Sequence, residues 1–542
     1  MQFQRCAWLF IAAVFAALAC APAGAPASAP ASTGQPKSGG VLSTSERANY
    51  TNLDPSTALR GEATFVTGRA YSSLLRFKAF EGMNQDDLTV EPALAERWEV
   101  SPDAKTYTFH LRPGVKFADM PPVNGRELTS ADVKWSFEYV GRIGVWKDMK
   151  FPAANQIAFK LEGLQSVQTP DPKTAVVTFK DGFAPFFSYA ATPDLGILPH
   201  EIYDQDGSFS DRTAGSGPWQ YDAASSQKGT RLVWKKNPNY WDTGRPYVDE
   251  LRTLTILDEA PKKAAFQTKQ LDIMVDVDSP TDGEEARKTN PQANAFTFLG
   301  WNAFRPYFNV TKPPFDDIRF RRAFSLGTDR EEFVRTFTGG QGRWAAAGAS
   351  PNTFTVEELK QLIPYDPDQS RRLLQQGGYQ PSYEVEYLYA SGYGEQLLAD
   401  SQLLQAQLKK VGINLNIKTV DRDDLSNRRR RGDFQVAPTG VGPALDPDVD
   451  YLVYGYFHPK SAVNYYRVDD PKLTDLVEAT RRNPDPAKRN EALRSAVRYI
   501  AEQGFAWVYF SVGYEFSQPY VKGYYPNQAN RGRPEATVWL DK

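Results

Sequence analysis

The sequence predicts an α/β chain of two lobes. Three observations point there: its length, a helix–glycine–strand order in its second half, and a period-two strand running into a helix in its first half. At 542 residues the chain exceeds what one hydrophobic core usually supports, so two or more lobes are expected, with room for a cleft between them. The helical run 403–410 passes through Gly412 into Ile413-Asn414-Leu415-Asn416-Ile417, an alternating strand; that order builds an α/β layer. Tyr107, Phe109 and Leu111 alternate with Thr108 and His110, which puts one face of a strand in a core and the other toward solvent. Pro102-Asp103 and Pro113-Gly114 bracket this strand with turns. A helix is predicted to begin at Thr129 or Ser130, whose hydroxyl can accept from free first-turn amides while Asp132 favours the positive helix end. Val133, Phe137 and Val140 follow at helical spacing.

Composition narrows the function. The formal charge is −2, with 63 basic and 65 acidic residues interspersed, which argues against a broad nucleic-acid-binding surface. Aromatic residues make up 13% of the chain, enough for a large core or for the walls of a small-molecule cleft. At the N-terminus Arg5 precedes an apolar stretch over 7–19, short for a bilayer span and suited to the h-region of a secretory signal. It ends in Ala17-Leu18-Ala19-Cys20, which looks like a lipobox with its usual Leu one place late. Cys20 would then carry lipid and Cys6 would leave with the signal, so no thiol would remain in the folded body to form a disulfide or a metal site. An ordinary signal-peptidase site beside an incidental Cys20 is the alternative. Residues 21–40 are rich in Ala, Pro, Ser and Gly and read as an extended tether.

The remaining elements follow in order. Gly39-Gly40-Val41-Leu42 opens a strand that Asn52-Leu53-Asp54-Pro55 closes with a turn; an apolar run follows over 71–77. Val176, Val177 and Phe179 alternate imperfectly in a strand over 174–179. Gly215-Ser216-Gly217 lacks the Gly-Lys-Ser/Thr ending and helix start of a phosphate loop. Phe320, Ala323, Phe324 and Gly327 form an apolar stripe at helical spacing, with the neighbouring basic residues expected to face solvent. Asp366-Pro367 to Gly377-Gly378 predicts a helix capped by Asp and ended by Gly. Arg428 to Arg431 reads as a solvated helix end balanced by Asp421, Asp423 and Asp424, and no aromatic residues interleave it in sequence as single-strand binding would prefer.

The stretch from Leu94 to Glu138 carries an ordered series. It runs from Trp98 through Ser101-Pro102-Asp103, Tyr107-Thr108-Phe109, and Leu111-Arg112-Pro113-Gly114-Val115-Lys116-Phe117 to Asp132-Val133-Lys134-Trp135-Ser136. This series resembles the signature of the family 5 solute-binding proteins, receptors of bacterial ABC importers for peptides and nickel. Gly215 to Trp219, Asn237 to Trp241, Phe308 to Phe324 and Asp329-Arg330 are similar to further landmarks of the family. The resemblance implies a two-lobed periplasmic-binding-protein type 2 fold with an extra subdomain on the first lobe. The expected division is a signal peptide over 1–20, a linker over 21–40, the first lobe over 41–80, 211–304 and 511–542, the extra subdomain over 81–210, and the second lobe over 305–510. It also implies a monomeric receptor on the periplasmic or extracellular face, held to the membrane by lipid on Cys20, with a small-molecule solute and an ABC permease as partners. No cofactor, metal or nucleic acid is expected.

Ligand should bind where the chain crosses between lobes, near residues 300 and 510. At the first crossing stand Trp301, Asn302, Phe304, Arg305 and Tyr307, rings and hydrogen-bonding groups suited to gripping a polar organic molecule. A hinge core with Arg305 snorkelling outward is the equally weighted structural alternative. Tyr50 is counted with the site from the first lobe. The family's site strand and loop correspond to 432–448, which adds Val441, Pro443 and Asp446. In peptide-binding members an aspartate in this loop pairs with the peptide's α-amine; here 440–445 holds no carboxylate and Asp446 is the nearest substitute. Asp446, Asp448 and Asp450 alternate without the Gly and distal Glu of a calcium loop. His110, His200 and His458 are too dispersed to indicate a metal centre. No Gly-x-Ser-x-Gly elbow, His-Glu-x-x-His helix or cysteine nucleophile is present, which leaves no residue to assign to catalysis; the resemblance implies capture of a peptide, oligosaccharide or other polar metabolite for import. A hydrolase on this scaffold, or a chaperone-like or signalling receptor, remains the alternative.

Overall fold

The computed structural model describes residues 34–46, 52–56, 60–81, 88–149, 157–277, 279–350, 353–391, 395–438, 448–461, 463–526 and 534–542. Buried side chains gather into two large cores. One draws on residues between Ala303 and Phe510; the other draws on residues between Leu42 and Ile273 together with Val521 to Leu540. A smaller cluster between Ala265 and Phe516 lies under the first sheet. The fold is α/β with two lobes, as the sequence predicts.

The first sheet orders its strands Asn294–Ala303, Tyr509–Ser517, Ile273–Val277, Val41–Glu46, Glu250–Thr255, Arg231–Lys236 and Trp219–Tyr221, with Arg343–Trp344 added beside Tyr509–Ser517. Val41–Glu46 is parallel to both its neighbours. Arg69, buried with Glu46 and Glu535, pairs with both carboxylates at 2.6 and 2.8 Å and so ties helix Arg60–Ala70 to the sheet and to the C-terminal segment. Gly215 and Gly217 pack backbone to backbone on this helix: a Cβ at Gly215 would lie 1.9 Å from the Ala70 carbonyl oxygen. Close approach explains the Gly-Ser-Gly run without a phosphate. Both ends of the described chain rest on this lobe. Gly34 lies against the Trp539 ring, the Gly39 amide donates to the Tyr247 carbonyl at 2.8 Å, and Lys37 pairs with Asp541 at 2.6 Å.

The opening signature builds a separate antiparallel sheet in the order Ala95–Val100, Thr106–Leu111, Thr174–Phe179, Leu164–Asp171. Tyr107, Phe109 and Leu111 are buried and alternate with half-buried Thr106, Thr108 and His110. In Thr174–Phe179 the buried set is Ala175, Val177 and Phe179, so the alternation is regular and Val176 faces away. Helix Ser130–Gly141 lays Val133, Phe137 and Val140 on this sheet. At its start the Asp132 carboxylate accepts from the Thr129 amide at 2.8 Å, and the Thr129 hydroxyl also points to that carboxylate. Together with the Thr129 side chain facing the Asp132 amide, this makes a reciprocal capping box.

In the second lobe the sheet runs Pro306–Phe308, Val436–Pro438, Tyr383–Ala390, Ile413–Val420. The helix before Ile413 is longer than its apolar run suggested, Glu395–Val411. Helix Pro367–Gln376 is capped by Asp366, which accepts from the Gln369 amide at 2.8 Å. Two basic residues correct the solvent-facing expectation. Arg321 and Arg330 are buried, and backbone carbonyls satisfy them, Gln503 and Phe315 for the first, Trp507 and Ser325 for the second. Arg428 to Arg431 do close helix Arg422–Arg431, with Arg428 on Asp424 at 2.9 Å, although Arg429 also meets the Tyr465 ring.

Candidate functional site at the crossing between lobes

Two short passages of chain join the sheets. Ala303 is still paired with Phe510 in the first sheet, while Pro306 is paired with Pro438 in the second; only Phe304 and Arg305 lie between. The return passage ends at Trp507 and Val508, where Tyr509 starts the long strand of the first sheet. The passages grip each other, with the Phe304 amide donating to Tyr509 O and the Val508 amide donating to Phe304 O, both at 2.9 Å. Consecutive side chains along an extended segment point to opposite sides. Phe304 turns into the second-lobe core, its ring 5.6 Å from that of Phe333. Arg305 turns into an aromatic enclosure.

That enclosure is built from residues far apart in sequence. The Arg305 guanidinium carbon lies 5.3 Å from the Tyr456 ring centre and 5.1 Å from that of Trp507, within cation–π range. Its Nη1 donates to the Tyr456 hydroxyl at 3.2 Å, whereas Nε is buried without a hydrogen-bond partner. Tyr307 packs on Tyr456 and Tyr466 with ring centres 5.4 and 5.0 Å apart, and the Trp507 indole N–H donates to the Tyr466 hydroxyl at 3.0 Å. Burial pushes the Tyr307 and Tyr466 phenols far up, so they stay neutral donors and acceptors. Arg305 is 3% exposed and does not snorkel outward. Tyr456, Tyr466 and Trp507 were not singled out from sequence, although the tyrosine-rich stretch 451–466 was visible there.

Of the other predicted site residues, Trp301 and Asn302 lie on the strand Asn294–Ala303, with their side chains outside the described part of the structure. Tyr50, Val441, Pro443, Asp446 and Cys20 lie outside the described residues. Phe304 and Arg305 are thus the two whose side chains the structure places, on opposite faces of one crossing.

Asp448 and Asp450 serve a different purpose from ion binding. Arg489 holds Asp448 with both terminal nitrogens, one at 2.8 Å. Arg481 approaches Asp450 at 3.0 Å and Glu162 at 3.1 Å, and lies over the Tyr454 ring at 3.6 Å. Burial still pushes the Asp450 carboxyl up to about 6, with Arg481 opposing. Glu162 belongs to the antiparallel subdomain and the other groups to the second lobe. A cavity of about 110 Å³ opens at this contact, lined by Glu162, Phe183, Tyr454, His458, Glu478 and Arg481 among others. Among the described residues no group of three or more His, Cys, Asp or Glu side chains could hold a metal ion, and no helix is long and apolar enough to cross a membrane.

Comparison with known proteins fits this architecture. The chain is 27% identical over 465 residues to Di/tripeptide-binding protein 1 of Pseudomonas aeruginosa, covering 81% of this chain and 84% of that one. It is 26% identical over 488 residues to Heme-binding protein A of Haemophilus influenzae, covering 84% of each. Among solved structures, the periplasmic binding protein DppA of Helicobacter pylori in complex with the peptide STSA superposes with a TM-score of 0.75 at 23% identity, over 93% of this chain and 99% of that one. AgaA of A. tumefaciens in complex with agropinic acid superposes with a TM-score of 0.74 at 23% identity, over the same shares. These relatives are named as binding proteins, not as enzymes. The family model of the bacterial extracellular solute-binding proteins, family 5, matches residues 89–464, and the chain belongs to that family.

Proposed function

We propose that this chain captures a small organic solute between its two lobes and delivers it to the permease of an ABC importer. The observation that carries the reading is the pair of short crossings, 303–306 and 507–509, hydrogen-bonded to each other. Two lobes joined this way can close on a ligand and exclude water, and binding energy then selects the closed form that a permease would recognise. Tyr50, Trp301, Asn302, Phe304, Arg305, Val441, Pro443 and Asp446 are the residues assigned to the ligand. The lobes divide at 304/305 and 510/511, with residues 81–210 as the extra subdomain. Lipid on Cys20 and the linker 21–40 would hold a monomeric receptor beside its permease on the periplasmic or extracellular face.

The relatives' names cover di- and tripeptides, heme and agropinic acid, so the framework accommodates unlike cargo. An ordinary peptide is one candidate among several, because 440–445 holds no carboxylate to meet a peptide amine. Calorimetry on the purified chain should give saturable binding of one solute, recovered chemically unchanged. Turnover of that solute would overturn the reading in favour of an enzyme. Trp301→Ala, Arg305→Ala and Tyr50→Ala should each weaken binding by roughly tenfold or more; undiminished affinity in all three stably folded variants would refute the placement of the site.

A further inference from the structure

Every other deeply buried arginine described at comparable depth has its charge answered by strong acceptors. Arg69 pairs with Glu46 and Glu535, and Arg330 and Arg321 with several backbone carbonyls. Arg305 differs. Its single hydrogen bond goes to the Tyr456 hydroxyl, its Nε is buried without a partner, and among the described residues no carboxylate forms an ion pair with it. Ring faces stabilise a cation but do not saturate five N–H donors. A guanidinium cannot escape by deprotonation, so leaving its donors unmade is costly in a group 3% exposed.

Its position gives the deficit a meaning. Arg305 occupies the two-residue link between sheets, its guanidinium held by Trp507 of the return crossing and Tyr456 of the second lobe. A donor without a hydrogen-bond partner at such a link can answer an anion held between the lobes. We propose that the captured solute bears an anionic group, a carboxylate or an equivalent oxyanion, which docks on Arg305 between Tyr456 and Trp507. The proposal rests on the capture reading above and narrows it to a chemical class. Charge-assisted hydrogen bonds to an oxyanion would complete the guanidinium, and the two flanking rings, nearly perpendicular to each other, would limit its movement during that contact.

The test uses the full chain purified without refolding. Solutes released on heat denaturation are identified by mass spectrometry from wild type, Arg305→Met and Arg305→Lys, with circular dichroism reporting the fold of each. In parallel, thermal-shift assays compare matched pairs: trialanine with trialanine amide, and gluconate with glucose. The expected result is an anionic solute released by wild type, or stabilisation by the anionic member of a pair. Occupancy or affinity should fall about 10- to 100-fold in Arg305→Met and less in Arg305→Lys. A neutral or cationic resident solute, equal stabilisation by both members of the effective pair, or undiminished binding by Arg305→Met overturns the anionic class while leaving solute capture standing. A wild-type chain that releases no solute and responds to no probe counts against capture itself.

Discussion

Asp400 sits under the return strand with its side chain buried, accepting from the Tyr509 hydroxyl at 2.9 Å and from Gln396 Nε2 at 3.1 Å. Among the described residues no cation pairs with it, and burial pushes its carboxyl from 3.8 up to about 7. In the unfolded chain the carboxyl ionises near 3.8, so between that pH and about 7 the folded state holds the proton more tightly. This contribution to stability is therefore greatest in acid, declines as the pH rises through that window and reaches its full penalty above it. Asp400→Asn should raise the unfolding free energy at about pH 8 by roughly 1–3 kcal/mol and have little effect near pH 4; denaturant titrations at both values check this, and equal effects at both would refute it. Gly215 is constrained by space alone. Gly215→Ala should cost about 2 kcal/mol or more, because the new methyl meets the Ala70 carbonyl and the buried Tyr71 ring.

Among the elements, those with local signals were legible. Thr106–Leu111 was readable because its period-two pattern matches its burial residue by residue, and helix Pro367–Gln376 because Asp366 and Gly377 mark both ends. Asp366→Ala should lower stability by about 1 kcal/mol through the lost amide acceptor, measurable as a shift in denaturation midpoint at unchanged slope. Illegible elements were those settled by distant partners. Arg321 and Arg330 look solvent-bound in their helices, yet carbonyls from residues 503 and 507 draw them inward. For the same reason only part of the candidate site could be read. Phe304 and Arg305 stood out as a cluster, but the rings that define Arg305's setting come from positions 456 and 507, which no local spacing connects.

On the scale of the whole molecule, the antiparallel subdomain and the second lobe are clasped by Glu162, Tyr454, Arg481 and Asp450, with the Ala184 amide also donating to Arg481 O at 2.6 Å. Arg481→Ala would leave Asp450 buried without its ion-pair partner. The variant should lower the melting temperature by several degrees, on the order of 5 °C, and enlarge the radius of gyration seen by small-angle X-ray scattering in the absence of solute; unchanged values would show that the clasp does not restrain the lobes. The opening signature thus announces the family from a subdomain that also touches the second lobe, although its own residues are mostly framework. The meeting of the two ends of the described chain, through Gly34 on Trp539 and Lys37 on Asp541, sets a frame of reference. In the closure proposed above, whatever holds residue 34 would hold the first lobe, so the second lobe would swing and the first would be the pedestal. A bulky fusion after Lys542 would crowd residues 34–37, whereas a probe on the second lobe would report the proposed closure directly.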